Sequence, residues 1–237
     1  MHSNFHFTEI IALAFSIFVV IGTLTHELGH YTAGKLLGYN CTLHFASCNY
    51  THPSSSDLTI AYRKLWDQYG GDKSCIPQSE IIKLSERRST MYKNRIWFTI
   101  GGPLQTMLTG TLGLLLLWWR KKKRQIDGWR LVDWLFVYLA LFWSREPFNL
   151  AFSLSKRIMT GSGSFFSGDE KIISNHYHLY EGFFSIVLGV LGAIICSYVV
   201  FKIIPSDKRL HFFLGGLIGG LLGYWLWMCL VGPVVLP

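Results

Sequence analysis

The sequence predicts an all-α integral membrane protein, a single multi-pass membrane domain over residues 1–237 with about five transmembrane helices. Half of the residues are hydrophobic and only 15% are charged. Two runs, 182–201 and 212–237, carry no charge and match the roughly 20 residues a helix needs to cross a bilayer. The basic residues gather at the ends of apolar segments, as expected for a chain held between two interfaces.

The first helix is expected at about 7–37. An apolar run from 10 to 25 leads directly into His26-Glu27-Leu28-Gly29-His30. The run does not read as a cleaved leader. Only His2 and His6 precede it in place of a basic region, and no small-residue cleavage site follows. Residues 39–94 form a polar loop without sustained period, although Ile81, Ile82 and Leu84 can begin a short interfacial helix. The loop is small for a domain with its own core.

The second helix, 96–119, opens on Ile100-Gly101-Gly102-Pro103 and ends on Trp118-Trp119. Arg120-Lys121-Lys122-Lys123-Arg124 follows, the pattern of a helix leaving the membrane among anionic headgroups. The third apolar segment, 131–154, is interrupted at Ser144-Arg145-Glu146-Pro147, where proline removes a backbone donor. Glycine and serine make 161–168 a flexible loop. Helices at 182–204 and 210–235 close the chain, and Gly215, Gly219 and Gly223 give the last a stripe for close helix packing.

A net charge of +8 can signal a nucleic-acid partner, but these cations are juxtamembrane, so the expected environment is the lipid bilayer and no nucleic acid. Cys196 and Cys229 lie in apolar helices and behave as small hydrophobes, while Cys41, Cys48 and Cys75 share the polar loop with no zinc-knuckle spacing. Basic residues flank both ends of the second helix, so charge does not orient the chain. Oligomeric state is not legible.

His26 and His30 are four residues apart, hence on one helical face, where both imidazoles can hold one Zn²⁺. Glu27 then flanks the metal as a general base. A catalytic zinc takes a third protein ligand. Asp169 is the first choice because its Gly/Ser-rich approach can bend, with Glu170, Glu146, His176 and His178 as rivals. Alternating crossings put the end of helix one, the start of helix two and Asp169 on the same membrane side.

An HELGH on the first membrane helix, a Gly-Pro on the second and a late Asp together resemble the site-2 protease family of intramembrane zinc metalloproteases, in its compact members. Asn149-Leu150 followed by Ser167-Gly168-Asp169 is similar to the family's Asn-Leu … Ser-Asp arrangement. The resemblance implies a three-helix metalloprotease-like core, zinc ligands His26, His30 and Asp169, and Glu27 as catalytic base. It implies that Gly102, Pro103 and Asn149 help position substrate. Thr106 stands where the family often has Asn, and Glu170 stands where it has Gly after the Asp. The expected activity is endopeptidase cleavage of a membrane-protein substrate within or next to the bilayer. Two alternatives stand beside it: a membrane zinc protease of another class with a glutamate third ligand, and a non-catalytic scaffold with a vestigial metal site.

Overall fold

The computed structural model describes residues 2–237 and is predominantly helical. The N-terminal helix α1 (His2–Leu36) is followed by a hairpin of β1 (Asn40–His44) and β2 (Ser47–Thr51). Helices α2 (Ser55–Gln68) and α3 (Gln78–Met91) lead to α4 (Arg95–Trp119) and the short α5 (Lys121–Asp127). Next come α6 (Leu131–Ala140), a 3₁₀ turn (Leu141–Ser144), α7 (Arg145–Thr160) and α8 (Asp169–His176). The chain closes with α9 (Phe183–Tyr198), α10 (Arg209–Trp225) and α11 (Gly232–Val235).

Among the described residues, four stretches are long and apolar enough to cross a membrane: 6–36, 78–119, 183–203 and 209–235. The protein is a multi-pass membrane protein, with four such spans where about five were expected. The difference lies in 131–154, which is not one helix. The backbone tightens into a 3₁₀ turn at Leu141–Ser144 and restarts as α7. Pro147 falls in the first turn of α7, where a missing N–H costs no intrahelical bond. The interruption therefore starts a helix instead of kinking one.

The polar loop is more ordered than its composition suggests. Cys41 pairs with Tyr50 and Leu43 with Cys48 across the antiparallel hairpin. Tyr50 packs on Phe98 of α4 with ring centroids 4.2 Å apart, docking the hairpin beside α1 and α4. Its tip is tied to the C-terminus, where Trp227 Nε1 donates to the Phe45 carbonyl at 2.9 Å. The hairpin is the one departure from an all-α chain among the described residues.

Helix contacts depend on small residues, as expected where lipid supplies little drive for burial. A Cβ on Gly219 would stand 2.0 Å from the Ala12 carbonyl oxygen, and one on Gly223 would stand 2.6 Å from the Ser16 Cα. The C-terminal glycine stripe thus packs against α1. At the other end of α1, a Cβ on Gly29 would stand 2.4 Å from the Gly101 oxygen. This second close approach brings the HELGH turn against α4.

The buried apolar cluster of Ile11, Leu117, Val137, Tyr138, Val199 and Phe212 lies at the end of the bundle away from the motif. From Ile11 to His26 is fifteen residues, roughly 22 Å of helix. At the cluster's rim, Asp133 is fully buried and takes a forked pair of hydrogen bonds from Arg120, at 2.9 and 3.1 Å. Arg120 and Arg124 of the basic run are therefore partly buried, while Lys121, Lys122 and Lys123 remain exposed. Outward, Leu13, Ile17, Leu108 and Leu112 are exposed, the inverse of a water-facing surface.

Candidate metal centre

The centre forms where α1 crosses α4. Helical spacing stacks His26 and His30 on one face of α1, both buried, with Nε2 atoms 3.2 Å apart. Asp169, the first residue of α8, places Oδ2 at 3.2 Å from each of these nitrogens. The three atoms form an equilateral triangle. A tetrahedral zinc with bonds of about 2.0–2.1 Å sets its ligand atoms about 3.3–3.4 Å apart. The triangle is one face of such a tetrahedron to within a fraction of an ångström.

The hydrogen bonds behind the imidazoles determine what the Nε2 atoms offer. His30 Nδ1 lies 2.8 Å from the Phe98 carbonyl, which can only accept, so this nitrogen carries the proton. His26 Nδ1 lies 3.0 Å from the Thr106 hydroxyl, whose own hydrogen goes to the Gly102 carbonyl at 3.3 Å. Thr106 therefore accepts from His26. In the neutral rings both Nε2 atoms then present lone pairs to each other and to a carboxylate oxygen. A single proton satisfies one edge of that triangle, whereas a cation satisfies all three.

Gly102 supplies the room. A Cβ there would stand 2.3 Å from His30 Nε2 and 2.5 Å from His26 Nε2, in the space an ion bound to both would need. His26, His30 and Asp169 thus form a group able to hold a metal ion. The two nitrogens and one carboxylate oxygen suit zinc and other first-row divalent ions.

Glu27 is buried next to the triangle. Across the hairpin Cys48 sits opposite Leu43 while His44 pairs with Ser47 at the turn, so the Cys48 N–H points out of the ladder. It lies against the Glu27 carboxylate. The Cys48 thiol is pushed up to about 12 by burial, reinforced by the neighbouring Cys41 and Glu27.

The rivals for third ligand point elsewhere. Glu170 accepts from the Asn149 amide at 3.4 Å and pairs with the buried Glu146 beside Arg145. Burial, aided by the Asp169 charge, raises the Glu170 carboxyl above the ordinary range. His176 and His178 are exposed. Asn149 contacts the residue beside Asp169, and Pro103 is buried in α4, where it leaves the Thr99 carbonyl without its helical donor.

Gly168, with φ of +82°, turns the 161–168 segment into α8. Ser174 then fixes that helix, donating to the Glu170 carbonyl at 2.8 Å and accepting the Phe184 N–H at 3.2 Å. Sequence reasoning named His26, His30 and Asp169, which the fold brings together, but not what supports them: the Thr106 hydroxyl, the Phe98 carbonyl and the Glu146–Glu170 pair. Only Arg145-Glu146 announced itself, as charges inside an apolar run.

No protein-family model, curated protein or solved structure matches the chain.

Proposed function

We propose that the protein is a zinc-dependent intramembrane endopeptidase of the site-2 protease kind. The observation that carries this reading is the triangle of His26, His30 and Asp169 with Glu27 buried beside it. A zinc ion held there would supply Lewis acidity to a scissile carbonyl and to the attacking water. His26 and His30 keep their lone pairs aimed inward because Thr106 and the Phe98 carbonyl hold the opposite nitrogens. Glu27 takes a proton from the attacking water and returns it to the leaving amine.

A peptide bond in a membrane helix must first leave its own hydrogen-bond ladder. Gly102, Pro103 and Asn149 are assigned to positioning the opened segment, on the strength of the open face at Gly102 and the donor missing at Pro103. The substrate class is a membrane protein cut within or next to the bilayer. A glutamate-liganded centre is disfavoured because Glu146 and Glu170 face each other away from the triangle. A vestigial site has no use for a buried glutamate beside its ligands.

The test is zinc content together with cleavage. Wild-type protein purified from metal-replete membranes should carry near-stoichiometric zinc, lost in His26→Ala, His30→Ala and Asp169→Ala but kept in Glu27→Gln. New N-termini mapped across the host membrane proteome should appear with wild type and vanish with Glu27→Gln. Zinc-free folded wild type, or identical N-termini for both proteins, overturns the proposal.

A further inference from the structure

Beyond the metal centre, a cavity of about 300 Å³ opens between the end of α7, the 161–168 segment and the start of α8. Its walls carry Lys156, Arg157 and Lys171, together with Ser153, Ser164 and Ser167. Glu181 neutralises Lys171 through a 3.1 Å ion pair and also takes the Ser164 hydroxyl at 2.8 Å. Among the described residues no carboxylate pairs with Lys156 or Arg157. Two positive charges are left facing a small cavity.

The hydrogen bonds show the same imbalance. Arg157 Nε is buried without an acceptor, a state that costs free energy unless something fills it. The Arg157 guanidinium lies over the Phe165 ring, 5.1 Å from its centroid, which holds the side chain in place without using its donors. Ser153 and Ser167 hydroxyls meet at 2.6 Å, so one donates to the other and one hydrogen remains to be given outward. The cavity thus has two cations and a hydroxyl donor in excess, and wants an anion with several acceptor oxygens.

The surroundings say which anion. Ile158 and Met159, at the same end of α7, are 76% and 85% exposed, and Phe165 is half exposed. Cations set in an exposed apolar rim mark a membrane interface, where the abundant multi-oxygen anion is a lipid phosphate. The volume lies at the low end of small-ligand sites, suiting a headgroup with its acyl chains left outside. We propose that this cavity is a phosphate site that takes the headgroup of an anionic phospholipid, phosphatidic acid being the simplest.

The 237-residue protein in detergent, presented with dioleoyl phosphatidic acid or dioleoyl phosphatidylcholine, is read by native mass spectrometry. Wild type should retain phosphatidic acid about tenfold more than phosphatidylcholine, and Lys156→Gln/Arg157→Gln should lose that preference. Lys121→Gln/Lys122→Gln removes the same charge from the exposed basic run following α4 and should keep it. A preference unchanged in Lys156→Gln/Arg157→Gln, or reduced equally in both double variants, overturns the proposal. Inorganic phosphate supplied at millimolar concentration separates the sources. If it fails to displace the lipid, the headgroup is the ligand; if it displaces the lipid fully, the site belongs to soluble phosphate and the lipid assignment is overturned.

Discussion

Gly102→Ala is the sharpest perturbation of the metal centre, because it removes no ligand. The added Cβ would stand 2.3 and 2.5 Å from the two Nε2 atoms, about 1 Å inside van der Waals contact with each. It occupies the space in which a metal would sit. To keep the ion, both imidazoles must leave their rotamers, at about 0.5–1.5 kcal/mol each. Each also gives up its Nδ1 hydrogen bond, to Thr106 or to the Phe98 carbonyl, at about 1 kcal/mol apiece. The sum of about 3–5 kcal/mol corresponds to a loss of zinc affinity of roughly 100- to 4,000-fold. Competition against a chelator of known affinity on the purified protein measures this directly.

Helix propensity works in the variant's favour, since alanine is a better helix former than glycine, so lost folding is not the expected cause of lost zinc. Gly110→Ala is the matched control. Its Cβ would strike the Trp143 ring at 2.4 Å on the same helix, damaging packing without facing the ligands. It should lower thermal stability and leave zinc affinity intact. If Gly102→Ala binds zinc within about threefold of wild type, a shift under 1 kcal/mol, the reasoning about the centre fails.

Thr106→Val removes the acceptor behind His26 and should lower zinc affinity about 10- to 100-fold, with Thr106→Ser restoring it, by the same titration. Asp133→Ala strands Arg120 in a partly buried site and should cost about 3 kcal/mol in reversible detergent unfolding while leaving zinc content unchanged. With its thiol raised to about 12, Cys48 becomes thiolate only at strongly alkaline pH. Iodoacetamide at pH 8 should therefore modify the exposed Cys75 first, and Cys48 labelling should accelerate as pH rises toward 11, read by peptide mass mapping.

The centre was more legible than the fold around it. Two histidines at i and i+4 need only helical geometry to converge, whereas the crossing count that put Gly102 and Asp169 on one side took 131–154 as a full span, which the structure breaks into two helices. Choosing Asp169 over Glu170 was harder. Adjacent residues at a helix start differ by one side-chain direction, which depends on Asn149 and Glu146 holding the neighbour away. Helix α2 escaped notice, and α3 was legible only as a short interfacial helix from Ile81, Ile82 and Leu84, because neither buries a residue and no full apolar stripe marks them. The break in 131–154 was expected at Ser144–Pro147 and falls at Leu141–Ser144; its earlier start was not legible because Leu141, Phe142 and Trp143 are apolar and composition does not register a change from α to 3₁₀ pitch.

Asp169 meets His30 and His26 at the triangle from 139 and 143 residues further along the chain. During synthesis the two histidines enter the membrane long before their carboxylate partner exists. The three-residue group is therefore incomplete until α8 is made and docked, and a chain cut short before Asp169 lacks one of its three members. Once the group is complete, an ion held there would fasten α1 to α8. At free zinc a thousandfold above its Kd, that fastening contributes about 4 kcal/mol to holding them together. Stripping the ion should loosen α8 while the remote apolar cluster stays packed, a split that hydrogen exchange of the two regions, with and without chelator, would resolve.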